Sequence, residues 1–176
     1  MLQGWVVLMV SVPPHPSSLR VRFWRRFRAL GAVALKKSVY ILPFTPENFE
    51  QFQWLAQEVQ RSGGEATLLR VERIENMQPA DVVRLFRDAR DQEYRALAAR
   101  YRKVAGGLDR KPTGPAAARR DEELARLGRE LARAREIDFF DAPGYHEVLR
   151  LRERIEARLR PPAIPAPGRP DTVLQG

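Results

Sequence analysis

The sequence contains no cysteine, and that absence excludes several classes of protein. Without thiols the chain cannot hold a disulfide framework, a zinc ribbon or a catalytic cysteine. Long apolar runs are also missing, because the longest, from Trp5 to Val12, is far too short to cross a bilayer core of about 30 Å. That run lacks the basic flank and the cleavage site of a secretory signal. We therefore expect a cytoplasmic protein with no membrane partner.

Histidine is scarce, and the sequence carries no motif for catalysis. The two histidines, His15 and His146, lie in different predicted modules, and neither has a set of spaced carboxylates around it. There is no nucleophile elbow, no Walker loop and no dinucleotide-binding fingerprint. We predict no catalytic residue, no metal site and no cofactor, and hence a protein that is not an enzyme.

Acidic residues are absent from the first 46 positions, although the whole chain has 22 of them against 31 Lys plus Arg. The cations of that segment are Arg20, Arg22, Arg25, Arg26, Arg28, Lys36 and Lys37. They account for seven of the nine net positive charges, so the rest of the chain is nearly neutral. A GC-rich coding sequence favours arginine over lysine, but it does not remove carboxylates. We interpret the segment as a surface that faces an anionic partner.

The hydrophobic pattern of the first 76 residues predicts six elements. Continuous apolar runs indicate buried strands, and apolar positions that recur every three or four residues indicate helices. The elements are a strand over 5–12, a helix that Ser17 or Ser18 caps and that runs to Leu30 and stops at Gly31, hairpin arms over 32–35 and 39–42, a helix over 47–61 and a strand over 65–73. This β-α-β-β-α-β order is that of a ferredoxin-like sheet, in which the first and third strands are central.

From Pro79 onward the pattern is helical. Its amphipathic stripes need partners to bury their apolar faces, so we expect them to form a helical subdomain, and the fold class is α+β. We predict a ferredoxin-like domain over residues 1–76 and a helical subdomain over 77–160 with a linker at 106–118. The Pro-rich tail at 161–176 is expected to be disordered.

The first predicted helix carries most of the basic residues. At 100° per residue, Phe23 and Phe27 fall on one face. The opposite face and its border carry Arg22, Arg25, Arg26 and Arg28. No carboxylate lies three or four residues from them, and an unpaired stripe suits phosphate because each guanidinium can hold two oxygens. Lys36 and Lys37, at the hairpin tip, either extend this surface or serve only solubility.

Arg20 and the tryptophans need separate interpretations. Arg20 falls on the apolar face in the first helical turn, where the helix dipole disfavours a cation. Either a buried acid or a strand-end carbonyl holds its side chain, or it faces a bound oxyanion. We interpret Trp24, beside the apolar stripe, as a core or interface anchor rather than a base-stacking platform, and Trp5 and Trp54 in the same way.

Acidic side chains gather near His146, in the segment 136–147. We interpret this segment as a connection in which Asp141 caps the last helix. Phe139 and Phe140 are then expected to fill the junction between the sheet and the helical subdomain.

Several blocks of the sequence resemble the N-terminal region of the chromate resistance regulator family ChrB. The longest is RVRFWRRFRALGAVAL at 20–35, which continues as VYILP at 39–43. Shorter matches are WLAQEV at 54–59, GGEA at 63–66 and IDFF at 137–140. The likeness extends over about residues 5–160. A more distant likeness is to the middle domain of PaaX-type repressors and to the ferredoxin-like CRISPR-associated endonuclease.

The resemblance implies a cytoplasmic, chromate-responsive transcriptional regulator of a chromate resistance operon. Its implied partners are operator DNA and chromate as effector, and the more distant likeness implies a homodimer. The endonuclease relatives use an acidic residue at the end of the first strand, where this chain has Ser11-Val12-Pro13. Metal-dependent cleavage of nucleic acid is therefore not expected.

We accordingly predict a regulator that binds DNA through the Arg-rich helix, and two alternatives stay open. In the first, the same arginines sense chromate or a sulfate-like dianion, with Arg20 as the inward ligand. In the second, the helix is a dimerisation surface that pairs with acids of the C-terminal helices of another subunit, and the protein does not contact DNA directly.

Overall fold

A computed structural model describes residues 4–108 and 113–160. It contains four strands and five helices. In chain order they are β1 (Trp5–Ser11), α1 (Ser17–Ala29), β2 (Val33–Lys36), β3 (Val39–Pro43), α2 (Pro46–Arg61), β4 (Glu65–Val71), α3 (Pro79–Gly107), α4 (Pro115–Glu136) and α5 (Gly144–Leu159). The α+β fold class expected from the sequence is confirmed.

The four strands form one antiparallel sheet in the order β2-β3-β1-β4. This is the ferredoxin-like arrangement, with β1 and β3 in the centre, as predicted. Because β1 has neighbours on both sides and is covered on both faces, Trp5, Val6, Val7 and Leu8 are all buried. The hairpin between β2 and β3 turns at Lys37 and Ser38, which places the two lysines at its tip.

Helices α1 and α2 cover one face of the sheet. Leu8 lies opposite Tyr40 in the β1–β3 register, and Tyr40 stacks on Phe27 of α1 with ring centroids 3.7 Å apart. Phe52 of α2 meets Phe27 edge to face at 6.1 Å. The apolar face of the basic helix is therefore tied into the core, and its remaining faces are left for other contacts.

The first turns of α3 and the segment before α5 cover the other face. Successive side chains of a strand point to opposite faces, so Trp5 lies away from α1. Trp5 stacks on Phe86 of α3 at 5.7 Å, and Phe140 lies 5.2 Å from Phe86. Phe139 meets Phe86 edge to face at 6.1 Å. The interpretation of Phe139 and Phe140 as fillers of the junction is confirmed.

A second core lies among α3, α4 and α5. Its largest fully buried members are Tyr94, Tyr101, Leu127, Val148 and Ile155. Helix α3 therefore contributes to both cores, with Phe86 in the first and Tyr94 in the second. Helix α3 reaches Gly107 and α4 begins at Pro115, so the ends of the stretch 106–118 assigned to a linker are helical. Residues 109–112 of that linker and the tail at 161–176 lie outside the described residues.

The ends of α1 are held without a serine cap. The helix begins at Ser17 with Pro16 as its N-cap residue, and neither Ser17 nor Ser18 caps it, contrary to expectation. The Pro16 carbonyl accepts from the Leu19 amide at 3.0 Å, so the backbone closes the first turn itself. At the other end Gly31 has φ 74°, and a Cβ there would lie 2.8 Å from the Ile137 Cβ. Glycine thus lets α1 end against the segment before α5.

The expected cap by Asp141 is wrong. Asp141 instead pairs with Arg135 at 2.7 Å, and the Gly144 amide at the start of α5 donates to Asp91 of α3 at 2.8 Å. Asp138, buried nearby, accepts from the Tyr94 hydroxyl at 3.0 Å. A carboxylate distant in sequence caps α5 because α3 runs beside it.

Replacing Phe86 with alanine should destabilise the protein by about 3–5 kcal/mol, the usual cost of deleting a buried aromatic ring. The loss should be large because Phe86 contacts aromatic rings from β1 and from the 139–140 segment at once. Urea unfolding monitored by circular dichroism measures it. Trp54→Ala is the control, since Trp54 is 56% exposed and its removal should stay within about 0.5 kcal/mol. Equal effects would contradict the junction packing.

Candidate functional site

The cations of the acid-free segment lie on α1 and on the adjoining β2–β3 hairpin. All seven are exposed. We call this set the basic surface: Arg20, Arg22, Arg25, Arg26, Arg28, Lys36 and Lys37. Helical geometry divides its α1 members into two ridges of residues four apart. One ridge carries Arg22 and Arg26, the other carries Arg20, Trp24 and Arg28, and Arg25 lies between them on the outer face.

The prediction that the arginines of α1 form an unpaired stripe is wrong for three of them. Two of these three pair with the same acid. Arg22 donates a hydrogen bond to Glu58 of α2, and Arg26 lies 3.4 Å from the other carboxylate oxygen of Glu58. No acid is close to these arginines in sequence, but α1 and α2 lie side by side on the sheet. Glu58, far along the chain, therefore reaches both members of one ridge.

Glu93 of α3 connects the other ridge to the helical subdomain. It accepts from Arg28 at 3.0 Å and from Arg90 at 2.7 Å. Arg90 is only 4% exposed, so Glu93 is the carboxylate that compensates a buried guanidinium. The Arg28 guanidinium also lies over the Trp24 ring, 5.0 Å from its centroid. Trp24, Arg28, Glu93 and Arg90 thus form a continuous chain of contacts.

The remaining cations of the basic surface have no such partner. The side chains of these residues make no ion pair or hydrogen bond within residues 4–108 and 113–160: Arg20, Arg25, Lys36 and Lys37. The idea that a buried acid or a strand-end carbonyl holds Arg20 is therefore wrong, and its side chain is exposed at the first turn of α1. These four residues are the cations available to an external anion.

Arg20 and Lys37 line the same cleft. It has a volume of about 250 Å³ and lies between α1, the end of β1 and the hairpin turn. The hydroxyls of Ser11, Ser38 and Tyr40 belong to residues of its lining, which includes no carboxylate. Burial raises the pKa of the Tyr40 phenol, so this group stays protonated and can donate. Cations and hydroxyl donors without an acid suit an anionic group.

Trp24 lines both this cleft and a second one. Trp24 is 48% exposed and Trp54 is 56% exposed, so neither is a core residue, and of the three tryptophans only Trp5 is buried. For Trp24 and Trp54 the interface alternative stays a prediction. The second cleft, of about 540 Å³, shares Trp24, Phe27 and Tyr40 with the first. Because they share these three residues, the two clefts adjoin each other beside α1, and we refer to the pair as the groove along α1. The three tryptophans differ in the exposed fraction of their side chains, and the sequence alone does not contain that information.

Arg25 faces a different place. It lines a cleft of about 660 Å³ between α1, α3 and α4, whose lining includes three other arginines and three glutamates: Arg28, Arg100, Arg133, Glu93, Glu130 and Glu136. The structure therefore brings Arg20 and Lys37 together, and it directs Arg25 to the outer side of the helix. Lys36, at the end of β2, lines neither cleft.

The other candidate residues have structural roles. Asp138 lies within a network that includes Tyr94 and Arg135, and burial together with the Asp138 charge raises the pKa of Tyr94. In the part of the chain that the structure describes, no group of three or more potential ligand side chains could hold a metal ion. No helix there is both long enough and apolar enough to span a membrane.

Comparison with known proteins matches this region to one family. The model of the family described as "Protein ChrB, N-terminal" matches residues 20–160. The chain belongs to this family. Protein ChrB of Cupriavidus metallidurans is 31% identical over 142 residues, which are 78% of this chain and 40% of that relative. The chain thus spans less than half the length of the relative. Comparison with solved structures gave no significant match.

The match to the ChrB N-terminal family covers the basic surface, the helical subdomain and the sheet domain apart from β1. It begins at Arg20, the first cation of the chain, and ends at Arg160, just after α5. Three of the four strands and the helices from most of α1 onward therefore belong to the region that matches the family. The resemblance seen in the sequence is confirmed.

Replacing Glu58 with glutamine should strengthen binding to polyanions. The amide removes the charge that neutralises Arg22 and Arg26 while keeping the size of the side chain. The variant should elute from a heparin column at higher salt than the unmodified protein. Glu156→Gln is the matched control, because Glu156 pairs with Arg152 at 2.6 Å on α5 and its replacement changes net charge equally. Equal shifts would show that the column responds to total charge and not to this surface.

Proposed function

We propose that the protein is a transcriptional regulator of chromate resistance that binds DNA through the basic surface. One observation carries the DNA-binding part. Seven exposed cations lie on one helix and the adjoining hairpin, and within the described residues only Glu58 and Glu93 pair with them. When a surface with this excess of positive charge contacts DNA phosphates, counterions are released from the DNA, and that release drives association.

Membership in the ChrB family supports the regulatory part. The family resemblance implies control of a chromate resistance operon, with chromate as the signal. In this proposal the protein catalyses no reaction; it binds DNA and responds to an effector. Binding takes place in the cytoplasm, where the operon is present.

The geometry separates two kinds of phosphate contact. Arg25 and the lysines have no ion pair to break, so they can bind phosphate at once. Arg22, Arg26 and Arg28 must first exchange a carboxylate for a phosphate. Exposed ion pairs contribute little stability, so this exchange costs little, and the bidentate fork of arginine suits phosphate oxygens.

Neutralising the unpaired cations should weaken DNA binding and reduce its dependence on salt. In the double variant Arg25→Gln, Lys36→Gln, the log-log slope of affinity for a duplex of roughly 20 base pairs against salt should shrink by about 0.9 for each phosphate that the protein no longer neutralises. Fluorescence anisotropy titrations at several salt concentrations measure this slope.

The matched control is Arg129→Gln, Arg154→Gln, which removes the same charge from exposed positions of α4 and α5 whose side chains make no ion pair among the described residues. Its slope should stay close to that of the unmodified protein. If both variants changed the slope equally, or neither did while both remained folded, the basic surface would not be the DNA-binding site.

A second candidate function is the sensing of a tetrahedral oxyanion such as chromate or sulfate. The observation in its favour is the cleft lined by Arg20 and Lys37, which contains hydroxyl groups and no carboxylate. Since the chain has no cysteine, it would recognise chromate by charge and hydrogen bonds and not by thiol oxidation. An anion held there would lie against the same helix that we propose contacts DNA.

Sulfate or chromate should raise the Tm in proportion to the logarithm of its concentration once that exceeds Kd, because it binds only the folded state. Differential scanning fluorimetry at constant ionic strength, balanced with chloride, measures the shift. The variant Arg20→Gln, Lys37→Gln should lose it, and Arg25→Gln should keep it. A Tm that depends on ionic strength alone would exclude the oxyanion site.

We also propose a homodimer, as the more distant relatives suggest. Two basic surfaces side by side would extend the track available to a duplex. If the basic helix instead pairs with acids of a second subunit, dissociation of the dimer should follow added salt, and DNA should compete with dimerisation. Sedimentation equilibrium at low and high salt, with and without a duplex, separates these arrangements, and a monomer under all conditions would exclude both.

A further inference from the structure

We propose that the groove along α1 binds single-stranded nucleic acid, with an unpaired base stacked on Trp24 and the adjoining phosphates held by Arg20 and Lys37. This inference rests on the proposed nucleic-acid function and adds a ligand class to it. The groove is formed by the two clefts that share Trp24, Phe27 and Tyr40.

The exposure of Trp24 is the first support. Trp5 of the same chain is 6% exposed, whereas Trp24 leaves about half of its surface open although it lies beside the core. Its neighbours on the helical ridge, four residues before and after, are Arg20 and Arg28. An aromatic ring between two cations is the combination that binds bases by stacking and phosphates by charge.

The ring is also held in place before any ligand arrives. The Arg28 guanidinium lies over the indole, and Glu93 fixes that guanidinium from α3 at 3.0 Å. Glu93 in turn is bonded to Arg90, which is buried. Because this chain of contacts restricts Trp24, stacking of a base on its ring costs less conformational entropy than stacking on a mobile side chain.

The charges along the groove suit a strand of nucleic acid. At its hairpin end the lining holds Arg20 and Lys37 without a carboxylate. At the other end Arg28 and Arg90 share the carboxylate of Glu93, and Asp88 lies in the same lining, so the charges of that end balance. The stacked pair Phe27 and Tyr40 lies between the two ends. Phosphates are therefore favoured at the hairpin end, next to an aromatic centre.

The dimensions favour a few nucleotides of one strand. Arg20 and Arg28 are eight residues apart in the sequence, which corresponds to about 12 Å along a helix. Stacked nucleotides rise by about 3.4 Å each along one strand, so the ridge spans about three or four of them. A duplex would not offer a base face to Trp24, because its bases stack on each other and an enzyme must flip one out to reach it.

The experiment compares a labelled oligothymidine of roughly 12 nucleotides with a duplex of equal length, by fluorescence anisotropy on the full chain. Trp24→Ala should weaken binding of the single strand by about fivefold to 150-fold, the range for removal of one base–aromatic stack. Its effect on the duplex should stay below about twofold, because a closed duplex stacks no base on the ring. Trp24→Phe, which keeps an aromatic face, should restore most of the single-strand affinity.

Trp54→Ala is the matched control, since it removes another exposed indole from α2, outside the groove. It should leave both affinities unchanged. The variant Arg20→Gln, Lys37→Gln should weaken the single strand and lower its salt slope, which tests the phosphate contacts independently of Trp24. Circular dichroism confirms that each variant is folded.

The outcomes distinguish this inference from the proposed function. If the duplex binds and the single strand does not, the stacking site is wrong and DNA binding stands. If the double variant weakens the single strand and Trp24→Ala does not, the groove holds phosphate only and the stacking site is again wrong. If neither nucleic acid binds, both the inference and the proposed DNA-binding function fail.

Discussion

Phe86 packs between Trp5 and the 139–140 segment, and the placement of the other functional parts depends on this contact. Phe86 lies on α3, a single helix of 29 residues that belongs to both cores. Once its first turns are docked on the sheet, Glu93 is carried about two turns further, to the side of α1. The hydrophobic junction therefore determines which carboxylate meets Arg28, and through Arg28 the position of Trp24.

Acidic residues of the elements packed beside the basic surface neutralise part of its positive charge. Glu58 serves one ridge of α1 and Glu93 serves the other, while Arg20, Arg25, Lys36 and Lys37 keep their charge unpaired within the described chain. The ion pairs hold the paired arginines in place, and the unpaired cations can bind an external anion directly. A surface that contains both kinds can be specific in geometry without losing its attraction for phosphate.

Local patterns predicted the fold well, because strand and helix periodicity and the glycine after α1 are properties of neighbouring residues. They failed wherever a partner came from far along the chain or the backbone took the place of a side chain. The serine cap of α1 and the Asp141 cap of α5 were wrong because a backbone carbonyl and Asp91, respectively, take those roles. The prediction for Trp24, a core or interface anchor, fails for the core because hydrophobicity alone does not distinguish a covered ring from an exposed one.

The amino-acid sequence by itself determined the β-α-β-β-α-β order, the family, and the concentration of positive charge in an acid-free segment. Those features follow from composition and short-range spacing. Only the tertiary structure decided which cations are available and which ring is exposed. An ion pair forms, or a side chain is buried, only where two elements pack together. The packing of α2 and α3 against α1 and the sheet determines where that happens.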